Sequence, residues 1–229
     1  MRVPLPSTPE SASASAARAP LSKERVLRAA VALADGAGVE ALSMRKLAQT
    51  LGVEAMSLYN HVRNKEDVLD GIVDAVIGEI ELCPCGADWR TTLRQQVFSA
   101  RRVLLRHPWA PPVIESRTRT SPAVVRYVDA IIGLLRAGGF SIELAHHAIH
   151  VLGSRILGFT QDLFDDTAEV TPETAAVIAR ELAEHYPHAA EMALAVSHEG
   201  GLGGCDDEVE FAFGLDLILD GFERLRAST

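Results

Sequence analysis

The sequence predicts an all-α protein, with a three-helix helix-turn-helix domain at the N-terminus and a larger helical domain after it. Apolar residues recur at spacings of three and four along most of the chain, which is the period of an amphipathic helix. Ser, Asp or Asn precedes many of these stretches and Gly ends several, as at helix termini. No stretch shows the strict alternation of a half-buried strand.

The composition is that of an ordinary globular protein of 229 residues, with 48% apolar and 23% charged residues. The N-terminal stretch MRVPLPSTPESASASAARAP has no apolar segment of signal-peptide length, and no membrane-spanning apolar run follows it. Three cysteines, an odd number, do not make a disulfide framework. We therefore expect a cytoplasmic protein without a membrane partner.

Charge is distributed unevenly along the chain. The formal net charge of −9 argues against a protein that coats nucleic acid indiscriminately. Residues 22–66 nevertheless carry seven basic and five acidic side chains, so the acidic excess lies in residues 67–229. Only the N-terminal part has a charge balance suited to a phosphate backbone.

The N-terminal elements follow from composition and caps. Residues 1–20 are rich in Ser, Ala and Pro without periodicity, and should form a disordered tail. Four helices should follow, each given by its cap or start and by its end: Ser22 to Gly38, Ser43 to Gly52, about Glu54 to His61, and Asn64 to about Glu81.

Five further helices are expected after the break at residues 83–88: Asp88 to about Arg106, Ser121 to Gly138, Ser141 to about Phe164, Thr171 to about His185, and Asp206 to about Arg226. The first of these should stop at His107-Pro108, because the residue before a proline disfavours the helical conformation. The APP stretch at 110–112 is interpreted as a turn.

The second and third helices have helix-turn-helix spacing. Ala48 is small where two helices would cross, and Gly52 suits a left-handed turn. Leu58 and Val62 should then face inward, which turns five residues outward: Met56, Ser57, Tyr59, Asn60 and His61. Their short donors and acceptors suit base edges and phosphate oxygens, although an incidental polar helix would look similar.

Residues 21–69 resemble the N-terminal DNA-binding domain of the TetR family of transcriptional repressors. The family hallmark is a Tyr-x-His/Tyr-Val/Phe-x-Asn/Ser-Lys run, which stands here as Tyr59-Asn60-His61-Val62-Arg63-Asn64-Lys65. The resemblance implies that Arg45 contacts DNA from the second helix and that Lys65 makes a contact at the start of the fourth. It also implies that Met56, Ser57, Tyr59, Asn60 and His61 read bases or grip phosphates.

Residues 88–108 and 136–159 resemble the tetracycline-repressor type of C-terminal domain, which binds a small inducer. In that family an Asn, a Phe and a His hold the drug and its magnesium, but the matching positions here are Gln96, Ala100 and Ile114. Tetracycline with magnesium is therefore not expected, and the exchange suggests a more apolar cavity. Trp109, Arg117 and Tyr127 are further candidates for the cavity.

Three histidines occur close together in this second domain. His146 and His150 share a helix face at four-residue spacing, but no carboxylate or Cys at matching spacing completes a metal site. We assign His146 and His150 to the ligand pocket as hydrogen-bonding groups. Histidines of the core or of an interface are the alternative.

Two long helices should form a dimer interface, as the resemblance also implies. Segments 141–164 and 206–226 carry more apolar surface than a solvent-facing helix tolerates. Gly153, Ser154 and Gly158 would permit close approach, with bulk from Phe211, Leu215, Ile218 and Phe222. Burial within one subunit is the alternative.

The sequence thus predicts a helix-turn-helix DNA-binding domain at 21–67 and a helical ligand-binding and dimerisation domain at 68–229. We expect a homodimeric repressor that leaves a palindromic double-stranded DNA operator when a small-molecule inducer binds. No phosphate-binding Gly loop, nucleophile motif or complete metal set indicates an enzyme or a cofactor. The alternative is a helical ligand-binding or interaction module without operator binding.

Overall fold

The computed structural model describes residues 20–82, 88–117, 120–158, 172–196 and 206–228, and these ranges contain no strand. The helices are α1 (Lys23–Ala37), α2 (Met44–Leu51), α3 (Ala55–Leu58), α4 (Lys65–Gly78), α5 (Trp89–Arg106), α6 (Ala110–Ser116), α7 (Pro122–Ala137), α8 (Ile142–Gly158), α9 (Pro172–His185), α10 (Pro187–Val196) and α11 (Asp207–Ala227). The all-α prediction is confirmed. The predicted tail lies outside the described residues, apart from Pro20. None of these helices is both long and apolar enough to cross a membrane.

Side-chain caps confirm most of the predicted helix starts. The Ser22 hydroxyl accepts a hydrogen bond of 3.2 Å from the Arg25 N–H at the start of α1. Ser43, Asn64, Asp88 and Ser121 cap α2, α4, α5 and α7 in the same way. Gly52 ends α2 in the left-handed conformation, with φ 67° and ψ 37°.

Three helices differ from the prediction. The α3 helix ends at Leu58 because the N–H groups of Tyr59 and His61 bond to carbonyls three residues back, as in a 3-10 turn. The α6 helix replaces the expected turn at 110–112, since its prolines stand in the first turn, where no N–H has an intrahelical partner. The α10 helix was not predicted and also begins with a proline. The predicted end of α8 near Phe164 lies outside the described residues.

Two apolar cores share α5 and adjoin at Tyr127 and Ile156, which pack against both. The first joins α1 to α4 with parts of α5 and α6, and the second lies between α5, α7, α8 and α11. We call α1 to α3 the head and α5 to α11 the body. Since α4 packs against both α1 and α7, the boundary predicted between residues 67 and 68 falls inside its first turn.

The buried and the exposed apolar residues of α11 differ from the prediction. Phe211, Leu215 and Phe222, assigned to a dimer interface, are at most 5% exposed and pack within their own chain. The alternative, burial within one subunit, therefore holds for these three residues. The exposed apolar stripe of α11 consists instead of Val209, Phe213 and Leu217, which follow one another at four-residue spacing.

Candidate DNA-binding surface and ligand cavity

The short helix α3 and the turn after it present an unusual mixture of side chains to solvent. We call residues 55–61 the recognition turn. Met56 is 73% exposed and Tyr59 is 47% exposed. Asn60 is exposed, and Ser57 and His61 are half-buried. Leu58 and Val62 are at most 1% exposed, so their predicted inward orientation is confirmed.

Cations stand on both sides of the recognition turn along the chain. Arg45 and Lys46 are exposed in the first turn of α2, and Lys65 begins α4. The α2–α3 contact is close because Ala48, 3% exposed, lies in it, and its carbonyl accepts a 3.0 Å hydrogen bond from the Val53 N–H. This is the helix-turn-helix arrangement that the spacing predicted.

The junction between the recognition turn and α4 is fixed by reciprocal hydrogen bonds. The Asp67 N–H donates to the Asn64 Oδ1 at 2.9 Å, and the Asp67 carboxylate accepts from the Arg63 N–H at 2.9 Å. The Arg63 guanidinium also donates to this carboxylate, at 3.0 Å. These hydrogen bonds from Arg63 hold the pKa of Asp67 below its ordinary value.

The body contains an apolar cavity of about 130 Å³ directly beside α4. Its wall comes from α4 to α8 and from the residue Ile80 just after α4: Ile77, Ile80, Val97, Ala100, Leu104, Ile114, Val124, Tyr127, Val128, Ile131, Ile149, Leu152, Gly153, Ile156 and Leu157. The small residues Ala100 and Gly153 leave part of this space unfilled, and a Cβ added at Gly153 would meet no atom within 4 Å.

Tyr127 carries the one polar side-chain group in the described wall of the cavity. Its hydroxyl is buried and has no hydrogen-bond partner among the described residues. Burial raises the pKa of Tyr127, so the hydroxyl keeps its proton at physiological pH. The group is thus a buried donor without an acceptor, which is uncommon in folded proteins.

The six residues predicted to bind ligand do not all reach this cavity. Ala100 and Ile114 line it, whereas Gln96 is buried beside it on α5 without forming part of the wall. Arg117 follows α6 and points to α4, where its guanidinium lies 2.7 Å from the Glu66 carboxylate. It is held there by charge, away from the apolar wall.

His146 and His150 also lie away from the cavity. Both are exposed on α8, with ring centroids 4.6 Å apart, and neither is part of the cavity wall. In the part of the chain that the structure describes, no group of three or more His, Cys, Asp or Glu side chains could hold a metal ion.

Sequence reasoning missed most of the cavity wall. Ile77, Leu152 and Ile156 have the same spacing and chemistry as core residues, so no local signal separates the lining of a cavity from a filled core. Tyr127 was named only as an unplaced candidate. The one usable signal was a hydroxyl-bearing residue within the apolar stretch of α7.

Acidic residues of α4, and one just after it, bind groups from the body. Arg117 also lies 3.2 Å from Asp70, and the Asp74 carboxylate accepts a 2.6 Å hydrogen bond from the Ala123 N–H at the start of α7. Glu79, just after α4, pairs with Arg106 at 2.8 Å. Polar contacts with the body thus follow α4 along its whole length.

A second group of contacts joins α1 to the turn between α5 and α6. The Asp35 carboxylate accepts from the Trp109 Nε1–H at 2.6 Å and lies 2.7 Å from the His107 Nδ1. A carboxylate only accepts, so His107 carries a proton on Nδ1. Both rings are at most 7% exposed. Asp35 therefore supplies the acceptor that the buried Trp109 Nε1–H and His107 Nδ1–H require.

Comparison with known proteins agrees with this geometry. Residues 26–72 match the family described as bacterial regulatory proteins, tetR family, and residues 84–226 match the tetracyclin repressor-like C-terminal domain. The class D tetracycline repressor of Escherichia coli is 31% identical over 206 residues, 89% of each chain. An HTH-type transcriptional regulator of Saccharopolyspora erythraea is 42% identical over 121 residues, about half of each chain (52% and 51%).

The fold also resembles that of ActR from Streptomyces coelicolor. Its structure without ligand superposes with a TM-score of 0.72 and 27% identity, covering 92% of this chain and 98% of ActR. Its complex with actinorhodin gives a TM-score of 0.67 and 28% identity, covering 91% and 99%. Since both domains match and the full-length relatives share the arrangement, the chain belongs to the TetR family of DNA-binding transcriptional repressors.

Proposed function

We propose that the chain acts as a homodimer that binds a palindromic operator and is released from it by a small molecule held in the apolar cavity. The position of α4 carries this proposal. Ile77 of α4 lines the cavity, while Leu69 and Ile72 of the same helix lie in the core shared with the head. A ligand that displaces Ile77 therefore acts on the helix that supports the recognition turn.

The proposed operator contacts follow the chemistry of the exposed side chains. Arg45 and Lys65 would bind phosphates on either side of the major groove. Asn60 can bond two positions of an adenine edge, and Met56 can contact a thymine methyl group. The full proposed set is Arg45, Met56, Ser57, Tyr59, Asn60, His61 and Lys65.

The exposed stripe of α11 supports the homodimer. Val209, Phe213 and Leu217 are 57%, 63% and 53% exposed, and a partner helix would remove this apolar surface from water. Gly221 continues the stripe at the same spacing and permits close approach of a second helix. Two heads held in this way would face half-sites about 34 to 36 Å apart, or a multiple of that distance.

The relatives support the proposal that a small molecule acts as inducer, but they do not identify that molecule. ActR binds actinorhodin in its solved complex, and the E. coli relative is named as a tetracycline repressor. The described wall of the cavity has no charged side chain that would hold a magnesium chelate, so we do not propose tetracycline. A ligand-binding module without operator binding is the rival function, and the intact recognition turn weighs against it.

The test begins by selecting, from genomic DNA, the fragments that the purified chain retains. Binding of a selected duplex and of a scrambled duplex is then measured by fluorescence anisotropy, with and without a library of small molecules. We expect two chains per selected duplex, and release by at least one compound. Equal affinity for both duplexes would favour the rival function.

A matched pair of variants tests the dimer. Phe213→Asp places a charge on the proposed interface, whereas Val125→Asp places one at a similarly exposed position of α7 (53%). We expect sedimentation to show a monomer, and operator affinity to fall at least about tenfold, only for Phe213→Asp. A dimer that survives this change would contradict the proposed interface.

A further inference from the structure

The composition of the cavity wall limits which molecules the cavity can hold. The ligand class inferred from it rests on the proposed function. Fourteen of its fifteen described lining residues are aliphatic or Gly, and no charged side chain is among them. A carboxylate, an ammonium or a metal chelate buried there would lose its hydration without gaining a partner. The wall therefore disfavours every ligand that brings a full charge inside.

One polar interaction is nevertheless available. The Tyr127 hydroxyl is buried at the wall without a hydrogen-bond partner among the described residues. A buried donor is costly while it is unpaired, and a ligand acceptor that reaches it removes that cost. A ligand with one oxygen or nitrogen acceptor would thus be favoured over a hydrocarbon of the same shape.

The size of the cavity sets a third limit. Its volume of about 130 Å³ is close to that of an engineered apolar cavity of about 150 Å³ that binds benzene. We propose that the cavity binds uncharged, mainly apolar molecules of about one ring whose single acceptor atom receives a hydrogen bond from the Tyr127 hydroxyl. Aromatic and alicyclic ketones are the simplest compounds of this class.

Two isosteric probes isolate the hydrogen bond. Acetophenone and α-methylstyrene have nearly the same shape, but the carbonyl oxygen of the first is a methylene group in the second. Affinities of both are measured by calorimetry for the wild-type chain and for Tyr127→Phe, which keeps the ring and removes the hydroxyl. For each probe, the affinity for the wild-type chain is divided by the affinity for Tyr127→Phe. Comparing the two ratios cancels the different costs of moving the probes out of water.

We expect Tyr127→Phe to weaken acetophenone binding about three- to tenfold and to leave α-methylstyrene binding nearly the same. Benzoate, the charged analogue, should not bind the wild-type chain at concentrations that saturate it with acetophenone. The inference is overturned if the two affinity ratios are equal, if benzoate binds as well as acetophenone, or if wild-type chain binds neither isostere.

These measurements need no DNA, so they separate this inference from the proposed function. Tyr127-dependent binding without release of operator DNA would retain the ligand class and reject the inducer role. Conversely, release by a charged or metal-bound compound, together with equal ratios for the isosteres, would retain the inducer role and reject the ligand class. Thermal unfolding of Tyr127→Phe checks that the variant is folded.

Discussion

The Trp109 indole nitrogen donates a 2.6 Å hydrogen bond to the Asp35 carboxylate, which joins the turn between α5 and α6 to the end of α1. The same carboxylate lies 2.7 Å from His107 Nδ1. Two buried donors of the body thus depend on one acceptor of the head, and the fit between head and body should depend on it.

We predict that Asp35→Ala lowers the free energy of unfolding by about 1–3 kcal/mol, because it removes the acceptor of the Trp109 indole N–H and of the His107 Nδ1–H, both of which are buried. Urea denaturation followed by circular dichroism measures the loss. Asp129→Ala, which removes an exposed carboxylate from α7, should change stability by less than about 0.5 kcal/mol. Equal midpoints for the two variants would refute the role of Asp35.

The Arg63–Asp67 contact predicts a pH dependence. The folded state holds the pKa of Asp67 below its ordinary value of 3.8, so the unfolded chain takes up the proton first as pH falls. The contribution of Asp67 to stability is therefore complete above its unfolded pKa and is lost as pH falls through the lower folded value.

Asp67→Asn should accordingly lower the free energy of unfolding by about 1 kcal/mol at pH 7, and the difference from wild type should shrink in urea titrations as the pH is lowered to and below about 4. Asp129→Asn serves as the exposed control. A difference that stays constant over this range would mean that the carboxylate charge does not stabilise the start of α4.

Gly138 marks a close approach of helices in the body. A Cβ placed there would lie 2.8 Å from the Trp89 Cβ, which cannot move without its backbone. We predict that Gly138→Ala destabilises the chain by about 1–3 kcal/mol. Gly133→Ala on the exposed side of α7 meets no atom within 4 Å and should instead stabilise by up to about 1 kcal/mol. Thermal midpoints that move in the same direction would disprove the close packing.

Operator affinity tests the recognition turn. Tyr59→Ala should weaken binding at least about tenfold without changing the dimer, because the ring is 47% exposed and belongs to neither apolar core. Arg45→Ala should reduce the dependence of affinity on salt by about one counterion. Arg102→Ala, an exposed cation of the body, should do neither. Full operator affinity of Tyr59→Ala would remove the recognition turn from the proposed interface.

Local sequence signals, such as helix caps and helical spacing, account for the parts of the fold that could be predicted. Caps such as Ser22, Ser43 and Asn64 act within one turn, so the predicted starts of α1, α2 and α4 are confirmed. The inward orientation of Leu58 and Val62 follows from helical spacing and is also confirmed. The DNA contacts themselves stay predictions.

The ligand site was predicted less accurately than the helix starts, because it depends on contacts between residues that are distant in sequence. Arg117 and the histidines of α8 have chemistry suited to a pocket, but helix packing directs Arg117 to Glu66 and leaves His146 and His150 in solvent. The face of α11 was misassigned for the same reason. Periodicity shows that Phe211 and Phe213 lie on different sides of a helix, but it does not show which side meets the rest of the chain.

Release of the operator by an occupied cavity is the central claim, and one comparison tests it most directly. Operator affinity is measured with and without the tightest-binding compound from a screen of uncharged ketones, for wild type, Gly153→Ala and Gly153→Leu. Gly153 borders open space in the cavity, so the leucine should fill it and the alanine should leave room. We predict that the compound weakens operator binding about 5- to 150-fold for wild type and Gly153→Ala, and has no effect on Gly153→Leu. The same weakening in all three proteins, or in none, would contradict the account.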